Sequence, residues 1–599
     1  MLALLLACAD PADGVPTPLP FCDGATRFLW DIEGGLDVFP DDHRTTPADT
    51  PTGLRVDLDP ETHPFLTESA EGFASVYTDL STLDGWGLAA GMWFRADGPL
   101  PAVLPPVRVV AGGVDWAVDV STTDEGQTLM VLPRRPLPPA TEVVVVVGTD
   151  PADPGCLAPA PLLRDLLDPS TPVPPGQAAR YQAALDALGI DAVEVAAMTV
   201  FTTQSATFVS ERVAADVAAR DYAYAAGGCT DGPVWTQCDG LVAVQDYRDP
   251  EHIVPPDSTG EALASYDLPT RVWLPSTGEA PWPVVVCGHG LGGDKGQCSV
   301  LADLAGPRGF AVVAVDAVEH GAHPGRTEAD LSILDDLMIL AIEVSPPGLN
   351  GRRLRDNFRQ SAWDKLQVVR AIEAGLDADG DGTVDLDADH LAYVGVSLGA
   401  IMGPEPMALT DRFDGGVLLV GGSRIASIIR DSPTFSVLVD LMRPAGTTDG
   451  EVDRFFPVLQ TVIEAGDPGT WAPHVTADRL DGGALPSLLN AMAWQDQIVP
   501  NSTNEALARA LGLPGVGSEE WPVDDLTFGS GPVSANLVGG ATGGTVQYTE
   551  VQDVSDGAWV PATHDNLHES YTGQSEILTF LEPLLAGESP VIAEPDRPE

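Results

Sequence analysis

The most informative part of the sequence is Leu391-Ala-Tyr-Val-Gly-Val-Ser-Leu-Gly-Ala400. Its first four residues are an apolar run that predicts a buried strand, and the small, apolar residues from Ala400 to Gly403 predict a helix. Between them, a glycine stands two positions before and two positions after Ser397. Such glycines allow a tight turn in which the backbone approaches its neighbours closely and the serine is lifted out of the sheet.

On both sides of this turn, from about residue 240 onward, short apolar runs alternate with helical patterns. This alternation predicts a parallel sheet with helical crossovers, in which the loops after the strands hold the reactive residues. The predicted strands are 270–274, 284–287, 311–315, 391–394, 417–420, 488–493 and 545–551.

The strand, the Gly-x-Ser-x-Gly turn and the helix together resemble the nucleophile turn of the α/β-hydrolase superfamily. The resemblance implies that Ser397 is a nucleophile and that an acid and then a histidine follow it in the chain. The superfamily commonly places its acid in an Asp-x-x-Val-Pro loop, and Asp496 stands in such a loop. Ser502 and Glu505 then predict a capping box that opens a helix over 506–511.

The base is expected in the loop after the last strand, where His564 and His568 both lie. His564 is preferred because the catalytic histidines of the superfamily usually precede the closing Phe-Leu by some 15 residues or more, and His568 is the alternate base. The order serine, acid, histidine thus predicts a catalytic triad of Ser397, Asp496 and His564.

The resemblance also implies an oxyanion hole of two backbone N–H groups. One belongs to Leu398, directly after the serine. The other is assigned to Leu291 in the segment Cys287-Gly-His-Gly-Leu-Gly-Gly293, which matches the His-Gly signature of the family. A further landmark is Asp316-x-x-x-His-Gly321 after the next strand.

More than 70 residues separate strand 417–420 from Asp496, and an inserted lid is predicted over about 424–482. A lid covers the pocket and contacts the acyl chain, whereas a plain structural insertion is the alternative. Taken with a β-rich N-terminal region, the chain resembles large exported bacterial lipases of the virulence-factor type. The catalytic domain is assigned to 206–590.

An acidic stretch, Asp377-Ala-Asp-Gly-Asp-Gly-Thr-Val-Asp385, provides oxygen atoms at alternate positions and suits Ca²⁺. The predicted ligands are Asp377, Asp379, Asp381, the carbonyl of Thr383, and Asp385. The glutamate that completes an EF-hand is missing, so the loop is EF-hand-like without its helix pair, and a merely acidic turn is the alternative. The ion is expected to be structural, and no cofactor is expected for catalysis.

Before the catalytic domain, residues 22–205 contain short strand patterns with frequent turns and predict a β-rich, immunoglobulin-like sandwich. Residues 1–21 are interpreted as a truncated lipoprotein signal and linker. Leu-Leu-Ala-Cys8 resembles a bacterial lipobox, which implies a lipid anchor on Cys8 and a location in the bacterial cell envelope.

Six further cysteines fit disulfides of an exported protein. Proximity in the sequence favours the pairs Cys229–Cys238 and Cys287–Cys298, which leaves Cys22 with Cys156, although other connectivities stay open. No Cys-x-x-Cys pair is present, so a cysteine metal site is not favoured.

The chain has 599 residues, with 88 Asp and Glu against 30 Lys and Arg, for a formal net charge of −58. This charge excludes nucleic acid as a default partner and polybasic binding to membranes. Only two lysines occur, which we interpret as a habit of composition.

The sequence therefore predicts an exported serine carboxylic-ester hydrolase, an esterase or lipase, that acts on a small-molecule or lipid ester and contacts membranes only through its lipid anchor. The alternatives are a non-enzymatic surface binding protein on a hydrolase scaffold, or an amidase, thioesterase or polyester depolymerase.

Overall fold

The computed structural model describes residues 18–31, 35–58, 74–171, 175–327, 337–344, 347–480 and 482–598. Cys8, the predicted lipidation site, lies outside the described residues. Among the helices that the structure describes, none combines the length and the apolar character that crossing a membrane requires.

Strands of the described residues range from two to twelve residues. They are β1 Val38–Phe39, β2 Thr45–Pro47, β3 Leu54–Val56, β4 Met92–Arg95, β5 Val107–Ala111, β6 Val114–Trp116, β7 Val118–Thr123, β8 Thr128–Pro133, β9 Glu142–Gly148, β10 Val195–Thr202, β11 Tyr224–Asp231, β12 Trp235–Asp246, β13 Ala264–Pro275, β14 Trp282–Gly288, β15 Ala311–Val315, β16 Ile342–Val344, β17 Pro347–Leu349, β18 Leu386–Val396, β19 Phe413–Leu419, β20 Ser487–Ala493, β21 Gly515–Val516, β22 Phe528–Gly529, β23 Gly543–Tyr548, β24 Glu550–Gln552 and β25 Trp559–Pro561.

The α-helices are interspersed among these strands. They are α1 Ala74–Asp79, α2 Pro161–Leu167, α3 Pro175–Leu188, α4 Phe208–Ala218, α5 Ser299–Ala305, α6 Gly351–Glu373, α7 Leu398–Met402, α8 Pro404–Leu409, α9 Ile425–Asp431, α10 Ser436–Met442, α11 Asp449–Ile463, α12 Pro468–Thr476, α13 Asn501–Leu511 and α14 Tyr571–Leu585.

Two compact units make up the chain, and the smaller is unit 1. Its segments are Met1–His43, Met92–Val131 and Glu142–Phe201. It contains two four-stranded sheets, in the orders β1-β4-β8-β7 and β10-β9-β5-β6. Buried side chains from β9 and β10 pack with those of α2 and α3 in one core that includes Val144, Tyr181 and Met198. The unit is β-rich, and its likeness to an immunoglobulin sandwich stays a prediction.

Unit 2 is built from Arg44–Gly91, Leu132–Thr141 and Thr202–Glu599. Its eleven-stranded sheet has the order β11-β12-β13-β15-β14-β18-β19-β20-β23-β21-β22. Strands β11, β12, β13 and β15 pair antiparallel in succession, and from β15 onward all neighbours are parallel. The parallel part places the ends of β14, β18, β20 and β23 at one edge. The domain boundaries proposed from the sequence stay a prediction.

Both faces of this sheet are covered. Val284 and Val286 of β14 belong to one buried cluster together with Trp363 of α6, whereas Val285 and Cys287 belong to another with Phe580 of α14. Because side chains alternate between the faces of a strand, a strand buried on both faces must be apolar throughout. The continuous apolar runs that predicted these strands have this cause.

The predicted strands of unit 2 are confirmed, with shifts at their ends. Residues 270–274 are the last part of β13, and residues 545–551 are divided between β23 and β24. The capping box predicted at Ser502 and Glu505 is wrong, because helix α13 begins already at Asn501. Pro500 precedes it with φ −54° and ψ 144° and makes no side-chain cap. Its ring fixes φ and lets the helix start at the next residue.

Three disulfides join Cys22 to Cys156, Cys229 to Cys238, and Cys287 to Cys298. The pairing favoured from proximity is therefore confirmed. Such bonds persist in oxidising compartments, which fits a protein outside the cytoplasm.

Candidate active site

Ser397 occupies a strained turn between β18 and α7. Its φ of 55° and ψ of −116° are backbone angles that residues with a side chain rarely adopt. A Cβ atom on Gly395 would lie 2.4 Å from the carbonyl oxygen of Gly399, and one on Gly399 would lie 2.1 Å from that of Gly288. The two glycines of the motif are therefore required by close backbone approach, and the turn places the serine hydroxyl at the edge of the sheet.

Three of the predicted site residues meet at this edge. The Nε2 atom of His564 lies 2.8 Å from Oγ of Ser397, and its Nδ1 atom lies 2.9 and 2.8 Å from Oδ1 and Oδ2 of Asp496. All three side chains are buried. The imidazole thus joins hydroxyl to carboxylate, with one ring nitrogen facing each.

The carboxylate of Asp496 is fixed by its own loop. Its Oδ1 atom accepts the backbone N–H groups of Ile498 and Val499 at 3.0 and 2.8 Å. Asp496 follows β20, three residues after the strand ends, so the parallel sheet brings it to the edge that holds Ser397. A carboxylate held by two backbone donors cannot turn away from the imidazole without losing both bonds.

His568, the alternate base, lies in the wall of the same cavity but has other neighbours. Its Nε2 atom is 3.9 Å from Oε1 of Glu569, and its Nδ1 atom is buried without a hydrogen-bond partner among the described residues. Burial lowers the pKa of His568. The structure therefore brings His564, and not His568, into hydrogen-bond distance of Ser397.

Two recesses meet at Ser397. The larger has a volume of about 410 Å³ and lies against the loop that holds Leu291. The smaller, of about 40 Å³, is lined by both Leu291 and Leu398 together with apolar side chains such as Phe358 and Ile425. Both residues of the predicted oxyanion hole therefore lie beside the serine.

The segment with the His-Gly signature is held by side chains that reach its backbone. Ala317 donates its N–H to Nε2 of His289 at 2.9 Å, and Nδ1 of the same ring lies 2.9 Å from the carbonyl oxygen of Gly290. Gly290 in turn donates its N–H to Oε1 of Gln297 at 3.0 Å. Burial lowers the pKa of His289 to about 4, so the ring is neutral and acts as a bridge.

Lys295, two residues after this segment, forms an ion pair with Asp316 that the sequence did not predict. Lys295 and Asp316 are both buried and bind one another through side chain and backbone. One of only two lysines in the chain is thus placed beside the predicted oxyanion loop. In the sequence, Lys295 stands two residues after the His-Gly segment, and Asp316 opens the landmark after the next strand. The nearness of this rare lysine to the segment was the signal that could have revealed the ion pair.

The inserted segment 424–482 forms helices α9 to α12 within its described residues. Thr434 and Phe435 line the larger recess, and Ile425, Ile428 and Ile429 line the smaller. The insertion therefore contributes walls to both recesses, whereas its movement as a lid stays a prediction.

In the acidic loop, carboxylate oxygens of Asp377, Asp379 and Asp385 lie within 4.8 Å of one another. Asp381 and Thr383, the other predicted ligands, are neighbours in the loop, where the N–H of Thr383 donates to Oδ1 of Asp381 at 2.7 Å. The pKa of Asp385 is raised, first by burial and also by the negative charges of Asp379 and Asp377. Three hard oxygen donors brought together against their repulsion fit a divalent cation such as Ca²⁺.

No model of a known protein family matches the chain, and no curated protein matches it. Among solved structures, the acetyl xylan esterase from Paenibacillus sp. R4 is 16% identical, with 57% of this chain and 87% of that chain covered and a TM-score of 0.36. Acetyl xylan esterase 1 from Thermoanaerobacterium sp. JW/SL YS485 is 14% identical, with 57% of this chain and 88% of that chain covered and a TM-score of 0.34. A structure titled putative dienelactone hydrolase, from Klebsiella pneumoniae subsp. pneumoniae MGH 78578, is 13% identical, with 57% of this chain and 97% of that chain covered and a TM-score of 0.29.

The strand order of unit 2 identifies its fold independently of these structural similarities. Its sheet is parallel from β15 onward, the order of β14 and β15 is exchanged relative to the chain, and the strand before Ser397 lies centrally. The serine turn follows that strand and opens a helix. Unit 2 has the α/β-hydrolase fold.

Proposed function

We propose that the protein is a serine hydrolase of carboxylic esters that acts through an acyl-enzyme. The observation that carries this proposal is the chain of contacts from Asp496 through His564 to Ser397, with 2.8 Å between Nε2 and Oγ. A serine hydroxyl is a weak nucleophile at neutral pH and needs a base in hydrogen-bond contact and a group that orients the base. These three residues supply each part.

In the first half of the reaction, Oγ of Ser397 attacks the ester carbonyl carbon while Nε2 of His564 takes the hydroxyl proton. The new C–O bond converts the carbonyl into an oxyanion. The tetrahedral intermediate then expels the alkoxide, which receives the proton from His564 and leaves as an alcohol. Asp496 holds the ring with its Nδ1 proton toward the carboxylate and stabilises the imidazolium.

In the second half, water attacks the acyl-enzyme and gives its proton to Nε2 of His564. The intermediate collapses, the bond to Oγ breaks, and Ser397 regains the proton. The backbone N–H groups of Leu291 and Leu398 are our assignment for the oxyanion hole, where one donor lowers the barrier by about 3–4 kcal/mol. Their place beside Ser397 supports this assignment.

Covalent labelling with a fluorophosphonate tests the proposal, since phosphonylation requires an activated serine. Mass spectrometry of the labelled protein should locate the adduct on the peptide that contains Ser397. A non-enzymatic binding protein with the same scaffold would stay unlabelled. Comparison of matched esters, thioesters and amides then separates an esterase from a thioesterase or amidase.

A structural Ca²⁺ in the acidic loop is a second part of the proposal. Asp377, Asp379 and Asp385 would hold the ion, and Asp381 and Thr383 offer further oxygens in the same loop. The loop directly precedes β18, the strand that ends at Ser397, so the ion would brace the entry to that strand. It has no part in the chemical steps.

We further propose that the protein is exported and is anchored by lipid on Cys8. The three disulfides support an oxidising location, and the apolar segment that ends in Leu-Leu-Ala-Cys8 supports lipidation. Metabolic labelling with a fatty-acid analogue tests the anchor, because a Cys8→Ala variant should lose the label.

A further inference from the structure

The larger recess beside Ser397 has apolar walls and an acidic mouth. Aliphatic and aromatic side chains from several elements form the walls, among them Leu301, Leu419 and Phe435. Asp565 and Glu569 also belong to the lining, and both are exposed, so they lie where the recess opens to solvent. An ester that reaches Ser397 by this opening passes two carboxylates.

Nothing in the described lining compensates these two negative charges. No lysine or arginine is among the described residues that line the recess. Its histidines other than His564 are His289 and His568, and burial lowers the pKa of both, so they are neutral at pH 7. A carboxylate on the substrate would therefore lose water and gain no cationic partner.

We propose that this recess selects uncharged esters with an apolar group and that Asp565 and Glu569 are the residues that exclude anionic esters. This inference rests on the proposed ester hydrolase function. Two effects add to one another in it. The apolar walls penalise a buried charge because they replace none of its hydration, and the two carboxylates at the mouth repel an approaching anion.

The two effects respond differently to salt and to substitution. Repulsion between exposed charges is screened over a Debye length of about 10 Å at 0.1 M ionic strength, whereas the loss of hydration in the recess is not. Removing the two carboxylates should therefore weaken the discrimination against anionic esters in part. Raising the salt concentration should weaken it similarly in the wild type, but not in a variant that lacks the two carboxylates.

The experiment compares two p-nitrophenyl esters of similar size, the neutral heptanoate and the anionic adipate monoester, whose chain is too long for rapid attack by its own carboxylate. The measured quantity is the ratio of their kcat/KM values. In the double variant Asp565→Asn with Glu569→Gln, the ratio of adipate to heptanoate should rise about tenfold over that of the wild type. A matched control, Asp221→Asn with Glu588→Gln, removes two exposed carboxylates outside the lining and should leave the ratio unchanged.

The outcomes separate this inference from the function on which it rests. If the wild type hydrolyses both esters equally well through Ser397, or if the control changes the ratio as much as the double variant, charge selection by the mouth is wrong while the hydrolase function stands. If the double variant fails to fold, the wild type alone decides. Its ratio should then rise several-fold between 0.02 and 0.5 M NaCl, and a constant ratio would overturn the proposal.

Discussion

Lys295 and Asp316 form a buried ion pair that ties the His-Gly segment to the sheet. The Nζ atom of Lys295 lies 2.6 Å from Oδ2 of Asp316, and its backbone N–H donates to Oδ1 at 2.7 Å. The N–H of Ala322 also donates to Oδ2, at 2.8 Å. Burial alone would raise the pKa of Asp316, but the hydrogen bonds from Lys295 hold it below its usual value. Since Asp316 directly follows β15, this pair positions the segment that contains Leu291.

Lys295→Met should therefore destabilise the protein by about 3–5 kcal/mol, because it leaves the carboxylate of Asp316 buried without its cation. The free energy of unfolding, measured with denaturant, checks this number. We also expect a lower kcat with little change in KM for p-nitrophenyl butyrate, since a displaced oxyanion donor acts in the transition state. Lys295→Arg, which keeps the charge, should recover part of the lost stability and part of the lost kcat. Unchanged stability in the methionine variant would contradict a structural role for the pair.

The two histidines of the loop before α14 should differ strongly in their effects. His564→Asn removes the base in contact with Ser397 and should lower kcat for p-nitrophenyl butyrate by about 10⁴-fold or more. His568→Asn changes a residue of the cavity wall and should lower it far less. Steady-state kinetics of both variants check the prediction. The reverse order of the two effects would assign the base to His568.

We expect Glu405 to make the stability of unit 2 depend on pH. It is buried in α8 and accepts hydrogen bonds from Nε1 of Trp363 at 2.9 Å and from Oγ of Ser210 at 2.8 Å. Burial raises its pKa from 4.5 to about 8. Between these pH values the folded state therefore binds a proton that the unfolded state has released, so the contribution of Glu405 to stability should fall as the pH rises from 4.5 to about 8.

Glu405→Gln keeps a neutral side chain of the same shape and should lose less stability over this interval. Thermal unfolding of both proteins at pH 6 and pH 8 checks the difference. The Tm of the wild type should fall more than the Tm of the variant, because only the wild type must bury a charge at the higher pH. Parallel changes in the two proteins would show that Glu405 does not titrate in the folded state.

Chelation tests the acidic loop. If Asp377, Asp379 and Asp385 hold Ca²⁺, an excess of EGTA should lower the Tm and added Ca²⁺ should restore it, since an ion that binds only the folded state stabilises it. Asp377→Asn with Asp379→Asn should have a lower Tm in Ca²⁺ and should no longer respond to EGTA. A wild-type Tm that is the same in EGTA and in Ca²⁺ counts against the ion.

Local patterns in the sequence predicted most of the sheet of unit 2. Strands such as β14 and β15 are buried on both faces, so their apolar runs are continuous and easy to recognise. The turn at Ser397 was predictable because both of its glycines belong to one short motif. Gly395 is required by contact with Gly399 within that motif, whereas Gly399 is required by contact with Gly288 on the neighbouring strand β14. The sequence also indicated Asp496 and His564, which the structure brings to Ser397. Asp496 follows β20 of the main sheet, whereas the hairpin of β24 and β25 stands between β23 and His564.

Contacts between distant segments were less accessible. Lys295 meets Asp316 only because the register of β14 beside β15 aligns the loops that follow them, and the two lysines looked like a habit of composition. Glu405 is surrounded by residues of α4 and α6, far from it in the chain, so nothing near it in the sequence indicated a raised pKa. The start of α13 at Asn501 was missed because the Ser502 pattern resembles a cap more than Pro500 does.

Hydrolysis of p-nitrophenyl butyrate by the wild type and by Ser397→Ala tests the proposed function most directly. Ser397 is buried at the strained turn, and alanine removes only the hydroxyl oxygen, so the variant should fold with an unchanged circular dichroism spectrum. We predict that the wild type hydrolyses the ester and that the variant loses this activity by about 10⁴-fold or more. A folded Ser397→Ala variant with wild-type kcat/KM would contradict the proposed mechanism.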